Sequence, residues 1–157
     1  MNLAYRRGTA SLEEILWHLK RCDARFVPPL SSRVDLADYA RRIHGTAVSF
    51  EAWEETTDSL VGMINAYLND LVGQTVYITN VSVIQGYTRQ GVASVLLTMC
   101  LDYAQASGFK TAKLEVSPEN LAAMRLYARF GFETGTETDL GMLLMTRQVG
   151  QIVAEGS

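Results

Sequence analysis

The sequence predicts an α+β (α/β) fold in which a mixed, mostly antiparallel sheet is flanked by helices. Two patterns predict it. Successive strand-like stretches in the first half indicate an antiparallel meander. The second half alternates strand and helix patterns, and a β-α-β-α-β order implies parallel and antiparallel pairs in one sheet. Because 157 residues is the length of one domain, we expect a single domain over residues 1–149 and a flexible tail over residues 150–157.

The first half begins with a strand over residues 2–7. Ser11 followed three residues later by Glu14 is a capping box, and apolar residues at helical spacing then predict a helix to about Cys22. The prolines at 28 and 29 break the chain, and a second helix is predicted over 34–43. Strands are predicted over 46–53, 60–68 and 75–84.

The second half contains a clearly amphipathic helix over 92–106, which Gly108 ends. A strand is predicted over 110–116. Ser117-Pro118 is typical of an N-cap followed by proline in the first helical position. The helix it predicts ends at Gly131, and a last strand is predicted over 140–146.

Composition excludes several functional classes. The formal charge is −3 and the basic residues occur in pairs, not clusters, so we expect no nucleic-acid partner. No apolar run can span a bilayer and no signal-peptide core follows the first basic residues. We therefore expect a cytoplasmic protein without a membrane partner. His18 and His44 are isolated in sequence, and we expect no metal site.

The loop within residues 83–93 connects the predicted strand over 75–84 to a helix that begins near Gly91. A helix N-terminus presents unpaired N–H groups and the positive end of the helix dipole, which together bind anions. Gly91 and Ala93 are small enough for a phosphate to approach the backbone, Ser94 can add a hydroxyl, and Arg89 can add charge. The alternative is an ordinary turn, which is the usual role of a glycine between a strand and a helix. The full dinucleotide and P-loop glycine patterns are missing, which argues against a nucleotide-dependent dehydrogenase and a P-loop protein.

Two motifs in this region resemble the GNAT N-acetyltransferase superfamily. The first is Val81-x-Val83 followed by Gln90-Gly91-Val92-Ala93. The second is Asn120-x-x-Ala123-x-x-Leu126-Tyr127-x-x-Phe130-Gly131-Phe132. The resemblance covers about residues 75–134, and it implies the GNAT fold, with about six to seven strands and about four helices. It also implies acetyl-CoA as cosubstrate, a primary amine as acceptor, and a homodimer as one option.

The resemblance assigns roles to individual residues. It implies that backbone amides of the loop before the helix bind the CoA pyrophosphate, and that one strand pairs with pantetheine. The implied cofactor-binding residues are Val81, Ser82, Val83, Thr88, Arg89, Gln90, Gly91, Val92, Ala93, Ser94, Asn120 and Tyr127. Thr88 departs from the family, which prefers Gln or Arg there, so a side-chain contact to CoA is lost.

Tyr127 matches the family position whose hydroxyl protonates the departing CoA thiolate. The alternative role for Tyr127 is a core aromatic on a helix. Glu115 is the candidate base, because only about 1 in 2,500 lysine-like amines is neutral near pH 7. A carboxylate is a weak base, so it would need burial or a relay water. An equally open alternative is a glutamate that only hydrogen-bonds its neighbours.

The acceptor is left open between a small-molecule amine and a peptide. Leu114-Glu115-Val116 followed by Asn120 is similar to family members that acetylate protein N-termini with a glutamate base. The stretch over 29–40, with residues 66–70, is similar to small GNAT proteins of surface-carbohydrate synthesis, which implies an amino sugar. A CoA-binding module without catalysis is the third option, against which Tyr127 argues.

Overall fold

The computed structural model of the chain describes residues 2–151, so residues 152–157 of the predicted tail lie outside the described part. The strands are β1 (Leu3–Arg7), β2 (Val48–Glu54), β3 (Ser59–Asp70), β4 (Thr75–Val83), β5 (Thr111–Val116), β6 (Glu133–Glu137) and β7 (Leu143–Gln148). The helices are α1 (Leu12–Cys22), α2 (Leu36–Thr46), α3 (Val92–Ala106) and α4 (Leu121–Arg129). Two short 3-10 turns, Asp23–Arg25 and Leu30–Ser32, connect α1 to α2.

All seven strands belong to one sheet with the order β1-β2-β3-β4-β5-β7-β6. The β4–β5 pair is parallel, and the other neighbouring pairs are antiparallel. α3 is the crossover that a parallel pair requires. The predicted fold class, a mixed and mostly antiparallel sheet of six to seven strands with four helices, is confirmed.

The sheet has a core on each face because its strand residues alternate in direction. On β3, Met63 belongs to the core formed with α1 and α2, whereas its neighbour Ile64 belongs to the core formed with α3. The helices contribute their apolar stripes, Ile15 and Leu19 from α1 and Leu96 from α3 among them. Both cores therefore hold the central strands in place from opposite sides.

Helix starts follow their capping side chains. The predicted capping box of α1 is present, with Ser11 Oγ accepting from the Glu14 amide at 3.1 Å and Glu14 Oε1 accepting from the Ser11 amide at 2.9 Å. α2 begins at Leu36, two residues later than predicted, because the Asp35 carboxylate caps it by accepting from the Asp38 amide at 3.0 Å.

The predicted start of the fourth helix is wrong. Ser117 and Pro118 lie in a turn in which the Asn120 amide donates to the Ser117 carbonyl at 3.0 Å. The helix begins at Leu121 and its N-cap is Asn120, whose Oδ1 accepts from the Ala123 amide at 3.2 Å. Asn120, and not Ser117, is therefore the N-cap of α4, because its side-chain oxygen accepts from an amide of the first turn.

The end of the sheet also differs from the prediction. The last strand begins at Leu143, not at residue 140, because Gly141 has a left-handed φ of 78° in the turn that precedes it. β6 was not predicted, since its five residues Glu-Thr-Gly-Thr-Glu are all exposed and carry no apolar alternation. Pairing with β7 alone defines it as an edge strand.

Candidate active site

The sheet opens where β4 and β5 separate. The two strands pair from Thr75 and Thr111 to Ile78 and Leu114, and no further pairing follows although both continue. β4 also bulges at Thr79, since Asn65 on β3 pairs with Asn80 but the next residue of β3 pairs with Ile78. A bulge bends and twists its strand. The bulge lies where the paired part of β4 ends and the opening begins.

The bulge also changes which side chains face which core. Before it, Val76 and Ile78 belong to the core on the α3 side. After it, Val81 and Val83 pack against that core, and Asn80 and Ser82 are buried polar residues. The Ser82 hydroxyl lies 2.8 Å from Nε2 of His18 on α1. The alternating polar and apolar pattern of β4 therefore shifts by one residue at the bulge.

Two adjoining cavities occupy the opening. The larger, about 540 Å³, lies between the end of β4, the loop before α3, and α4. The smaller, about 240 Å³, lies between β4, β5 and the segment that joins α1 to α2. Both have Phe26, Val81, Asn120 and Ala123 in their walls, so the cavities meet at these residues.

The loop before α3 leaves the helix N-terminus open. Gly91 is its N-cap with φ 74°, and no side chain caps the helix. In the described part of the chain, the amides of Val92, Ala93 and Ser94 have no hydrogen-bond partner, while the Val95 amide closes the first turn onto the Gly91 carbonyl at 3.0 Å. A Cβ at Gly91 would meet no atom within 4 Å. Free donors and open space fit a bound anion.

The other predicted cofactor residues lie around the larger cavity. Ser82, Val83, Thr88 and Arg89 are in its wall with Val81. Gln90 is exposed and does not line it, and its side-chain amide donates to the Gly86 carbonyl at 3.0 Å instead. The Ser82 side chain is engaged with His18, so only its backbone remains for a ligand.

The side chain of Asn120 already has a structural role as a helix cap. Its Oδ1 caps α4, and the residue lines both cavities. Tyr127, on the same helix, is only 6% exposed, packs edge-on against Phe132 with ring centroids 6.0 Å apart, and faces the smaller cavity. Burial raises the pKa of Tyr127 well above the usual tyrosine value, so its hydroxyl stays protonated.

Glu115 lies in the wall of the smaller cavity with its carboxylate engaged. The Tyr77 hydroxyl donates to Glu115 Oε2 at 2.6 Å. Burial, the hydrogen bond to Glu115 and the negative charge of that carboxylate all raise the pKa of Tyr77 well above its usual value. Tyr77 therefore remains a donor, and the other carboxylate oxygen of Glu115 is left for a ligand.

Several residues of the opening were not assigned individual roles from the sequence, although two of them lie in the stretch over 29–40 that was linked to the acceptor. Arg25 lines the larger cavity, and Arg33, Tyr39 and Arg42 line the smaller one. They come from the two 3-10 turns and α2, whose position over the opening depends on tertiary packing. The Tyr39 hydroxyl donates to the Thr79 carbonyl at 2.9 Å, which ties α2 to the bulge.

Behind the opening lies a buried polar chain that also escaped prediction. His18 is fully buried, donates from Nδ1 to the Leu60 carbonyl at 2.9 Å, and accepts at Nε2 from Ser82. Asn80 donates from Nδ2 both to Ser82 Oγ at 3.1 Å and to Asn65 Oδ1 at 3.0 Å. This pattern fits a neutral imidazole with its proton on Nδ1, and burial favours the neutral form by lowering the pKa of His18.

Glu51 and Glu54 on β2 are both buried. Glu51 accepts from the Thr9 amide, the Thr9 hydroxyl and the Ala10 amide, and so closes the turn between β1 and α1. Glu54 accepts from the Thr56 amide at 2.9 Å. Both carboxylates are structural and neither lines a cavity of the opening.

Within residues 2–151, no three His, Cys, Asp or Glu side chains are grouped to hold a metal ion. None of the helices described here has the length and hydropathy needed to cross a membrane.

Comparisons with known proteins agree with this geometry. Residues 11–132 match the family model described as the acetyltransferase (GNAT) family. Human N-acetyltransferase 8B is 28% identical over 127 residues, which are 78% of this chain and 56% of that protein. The chain thus spans about half the length of this curated relative.

Solved structures show the same fold at low identity. The PaiA N-acetyltransferase of Thermoplasma acidophilum in complex with coenzyme A superposes with a TM-score of 0.73 at 14% identity, covering 94% of this chain and 99% of that one. The ribosomal-protein-S18-alanine N-acetyltransferase of Escherichia coli superposes with a TM-score of 0.74 at 20% identity, over 99% of each chain.

Proposed function

This chain belongs to the GNAT acetyltransferase family, and on that premise we propose that it transfers the acetyl group of acetyl-CoA to a primary amine. The observation that carries the proposal is the meeting of the two cavities at Val81 and Asn120, with Tyr127 in the wall beside them. One cavity has the loop before α3 in its wall, and the other has the carboxylate of Glu115 in its wall. A donor and an acceptor can therefore approach one point from different sides.

The larger cavity suits the donor. Its volume of about 540 Å³ lies within the usual range of ligand sites, about 300–1,000 Å³. The free amides of Val92, Ala93 and Ser94 would bind the pyrophosphate, and Arg89 and Arg25 in the wall add positive charge. Beyond its last pair with β5, the β4 edge at Val81 and Val83 would pair with the pantetheine amides.

Tyr127 is the proposed general acid. The amine nitrogen forms a bond to the acetyl carbon, the carbon–sulfur bond breaks, and the sulfur takes the proton of the Tyr127 hydroxyl. With ordinary pKa values this proton transfer is uphill by about 2 kcal/mol in water. Burial raises the pKa of Tyr127, which widens this gap, and burial of the thiolate beside it would raise the pKa of the thiol and narrow the gap again. The surplus proton on the new amide nitrogen restores the phenol.

Glu115 is the proposed acceptor of the first ammonium proton through one water, because its side chain is exposed and direct transfer would need a buried carboxylate. Its carboxylate faces the smaller cavity, and the hydrogen bond from Tyr77 holds its orientation. A positioned base contributes about 10²–10⁴-fold to such a reaction.

A peptide N-terminus is the second candidate acceptor. Glu115 supports it, because the similarity of residues 114–120 to N-terminal acetyltransferases includes this glutamate. The Escherichia coli relative is described as acting on the alanine of a ribosomal protein, and it shares the fold over 99% of each chain. The small volume of the acceptor cavity, about 240 Å³, favours a small molecule instead.

The decisive experiment combines CoA binding with thiol release from acetyl-CoA over a panel of amines and peptides. In Tyr127→Phe, CoA binding should stay within about twofold, because the ring still fills its place, while thiol release falls by about 10²-fold or more. Tyr103→Phe is the matched control, since Tyr103 lines neither cavity. Unchanged thiol release in Tyr127→Phe rejects the assigned acid. CoA binding without release for any amine means a non-catalytic module.

A further inference from the structure

The smaller cavity has an excess of positive charge. Among residues 2–151, the charged residues of its wall are Arg33, Arg42 and Glu115, so this lining sums to about +1 when the tyrosines are neutral. A simple ammonium acceptor would meet two guanidinium groups and one carboxylate, which is unfavourable. A molecule with both an ammonium and an anionic group would match the wall at both ends.

Neither guanidinium is neutralised by the protein. Among residues 2–151, the ion pair that the structure contains joins Arg41 to Asp38, and neither Arg33 nor Arg42 donates a side-chain hydrogen bond to another residue. Arg41, the immediate neighbour of Arg42, is thus paired and lies outside the cavity. The two arginines of the cavity wall retain their full donor capacity for a ligand.

Arg42 is also held in place over the cavity. Its guanidinium carbon lies 5.1 Å from the centre of the Tyr39 ring, and the Tyr39 hydroxyl is bound to Thr79 at the bulge. Burial raises the pKa of Tyr39 to about 12, while the charges of Arg42 and Arg33 act to lower it. The field of both guanidinium groups therefore reaches the wall of the cavity.

We propose that the acceptor is a small primary amine that carries an anionic group, with the anion bound by Arg33 and Arg42 and the amine directed toward Glu115 and Tyr127. Guanidinium groups bind carboxylate and phosphate oxygens in pairs of charge-assisted hydrogen bonds. The volume of about 240 Å³ fits an amino acid or a small amino sugar derivative. This inference rests on the proposed function, because it names the substrate class of the same site.

The test compares acceptors that differ in the anion, with each kcat/KM expressed per neutral amine because the anion also changes the pKa of the amine. To test a carboxylate, thiol release is measured for an α-amino acid and for its carboxamide. To test a phosphate, it is measured for the phosphate ester of an amino sugar and for the amino sugar itself. The anionic member of at least one pair should have a kcat/KM at least about tenfold higher, as expected for charge-assisted hydrogen bonds. Equal kcat/KM within both pairs overturns the inference while leaving acetyl transfer itself intact.

Variants then assign the effect to the two arginines. Arg33→Gln and Arg42→Gln should each raise KM for the anionic acceptor by about tenfold with kcat within about twofold, and KM for the member without the anion should not rise, because one guanidinium that repels its ammonium group is removed. Arg41→Gln is the matched control and should behave as the wild type, because Arg41 is not in the cavity wall. An equal loss for both members of a pair means a structural role and overturns the assignment.

A binding measurement separates this inference from the proposed function. With CoA present, the anionic amine should raise the melting temperature of the wild type but not of Arg42→Gln, whether or not any amine is acetylated. Failure of thiol release with all amines would reject the proposed function alone if this selective stabilisation remains. Absence of the stabilisation for every anionic amine rejects the substrate class.

Discussion

Tyr77 on β4 donates a 2.6 Å hydrogen bond to Oε2 of Glu115 on β5, next to the point where these parallel strands stop pairing. The bond spans two strands whose last paired residues are Ile78 and Leu114. It orients the carboxylate of Glu115 toward the smaller cavity and keeps one oxygen engaged. The candidate base is therefore placed by a side chain that the sequence analysis did not single out.

Replacing Glu115 by Gln should remove the base and keep the shape of the cavity. We expect kcat/KM for amines near pH 7 to fall by about 10²-fold, and the loss to shrink as pH approaches the acceptor pKa, about 10.4 for a lysine-like amine. The reason is that solvent then supplies the neutral amine. The pH profile of thiol release measures this, and a profile parallel to that of the wild type would remove Glu115 from proton transfer.

Tyr77→Phe tests positioning without removing the carboxylate. We expect a loss of about three- to tenfold in kcat/KM near pH 7, smaller than in Glu115→Gln, because Glu115 is still charged but no longer held. Tyr5→Phe on β1, which lines neither cavity, is the control and should match the wild type. Equal losses in the two tyrosine variants would contradict a specific role for Tyr77.

Gly91→Ala tests the turn before α3. Gly91 has a left-handed φ of 74°, where a Cβ costs about 1–2 kcal/mol, so the variant should be less stable by about that amount and bind CoA more weakly. Gly45→Ala is the matched control, because Gly45 lies inside α2 with open space around it. It should gain up to about 1 kcal/mol in urea unfolding. A harmless Gly91→Ala would show that the φ is not required.

His18 should make the protein sensitive to acid. Burial lowers the pKa of His18 to about 4 from its ordinary value of 6.5, so the unfolded chain takes up the proton first as pH falls. Stability is therefore complete above about pH 6.5 and is lost toward about pH 4. Between about pH 7.5 and about pH 5 we expect a loss of about 2 kcal/mol of unfolding free energy.

Urea unfolding at both pH values measures this loss of stability, and a variant of the exposed histidine His44 is the control. His44→Gln should keep the pH dependence of the wild type, since His44 is exposed on α2. His18→Gln should be less stable at neutral pH and lose most of that dependence. Should the slope persist in His18→Gln, another group titrates in its place.

Glu51→Gln should destabilise the fold without touching the cavities. The buried carboxylate accepts from the Thr9 and Ala10 amides, and an amide group brings its own N–H donors toward them. We expect a loss of about 2 kcal/mol in unfolding free energy, with kcat retained in the folded fraction. Glu14→Gln is the control, because Gln also completes a capping box, and it should cost less than about 0.5 kcal/mol. Similar losses would mean that Glu51 has no special role.

Local signals predicted much of this fold. Ser11 and Glu14 form the capping box that their spacing indicates, and α3 has the bounds that its apolar periodicity predicts, Val92 to Ala106. These features depend on residues within a few positions of each other, whose interactions the chain encodes directly. The resemblance to the GNAT family could be recognised from the sequence for the same reason, since both of its motifs are continuous segments.

Tertiary packing decided the rest. β6 has no apolar pattern and exists because β7 offers it an edge. The bulge at Thr79 depends on how β3 pairs with β4. The His18–Ser82 contact and the placement of Arg33 and Arg42 over the opening join residues about 30 or more positions apart in the chain. Residue types and spacing indicate which groups a chain carries and which face each one takes along its own element. Which groups from distant elements share one cavity depends on how the sheet splits and the helices dock, and that is a property of the packed molecule.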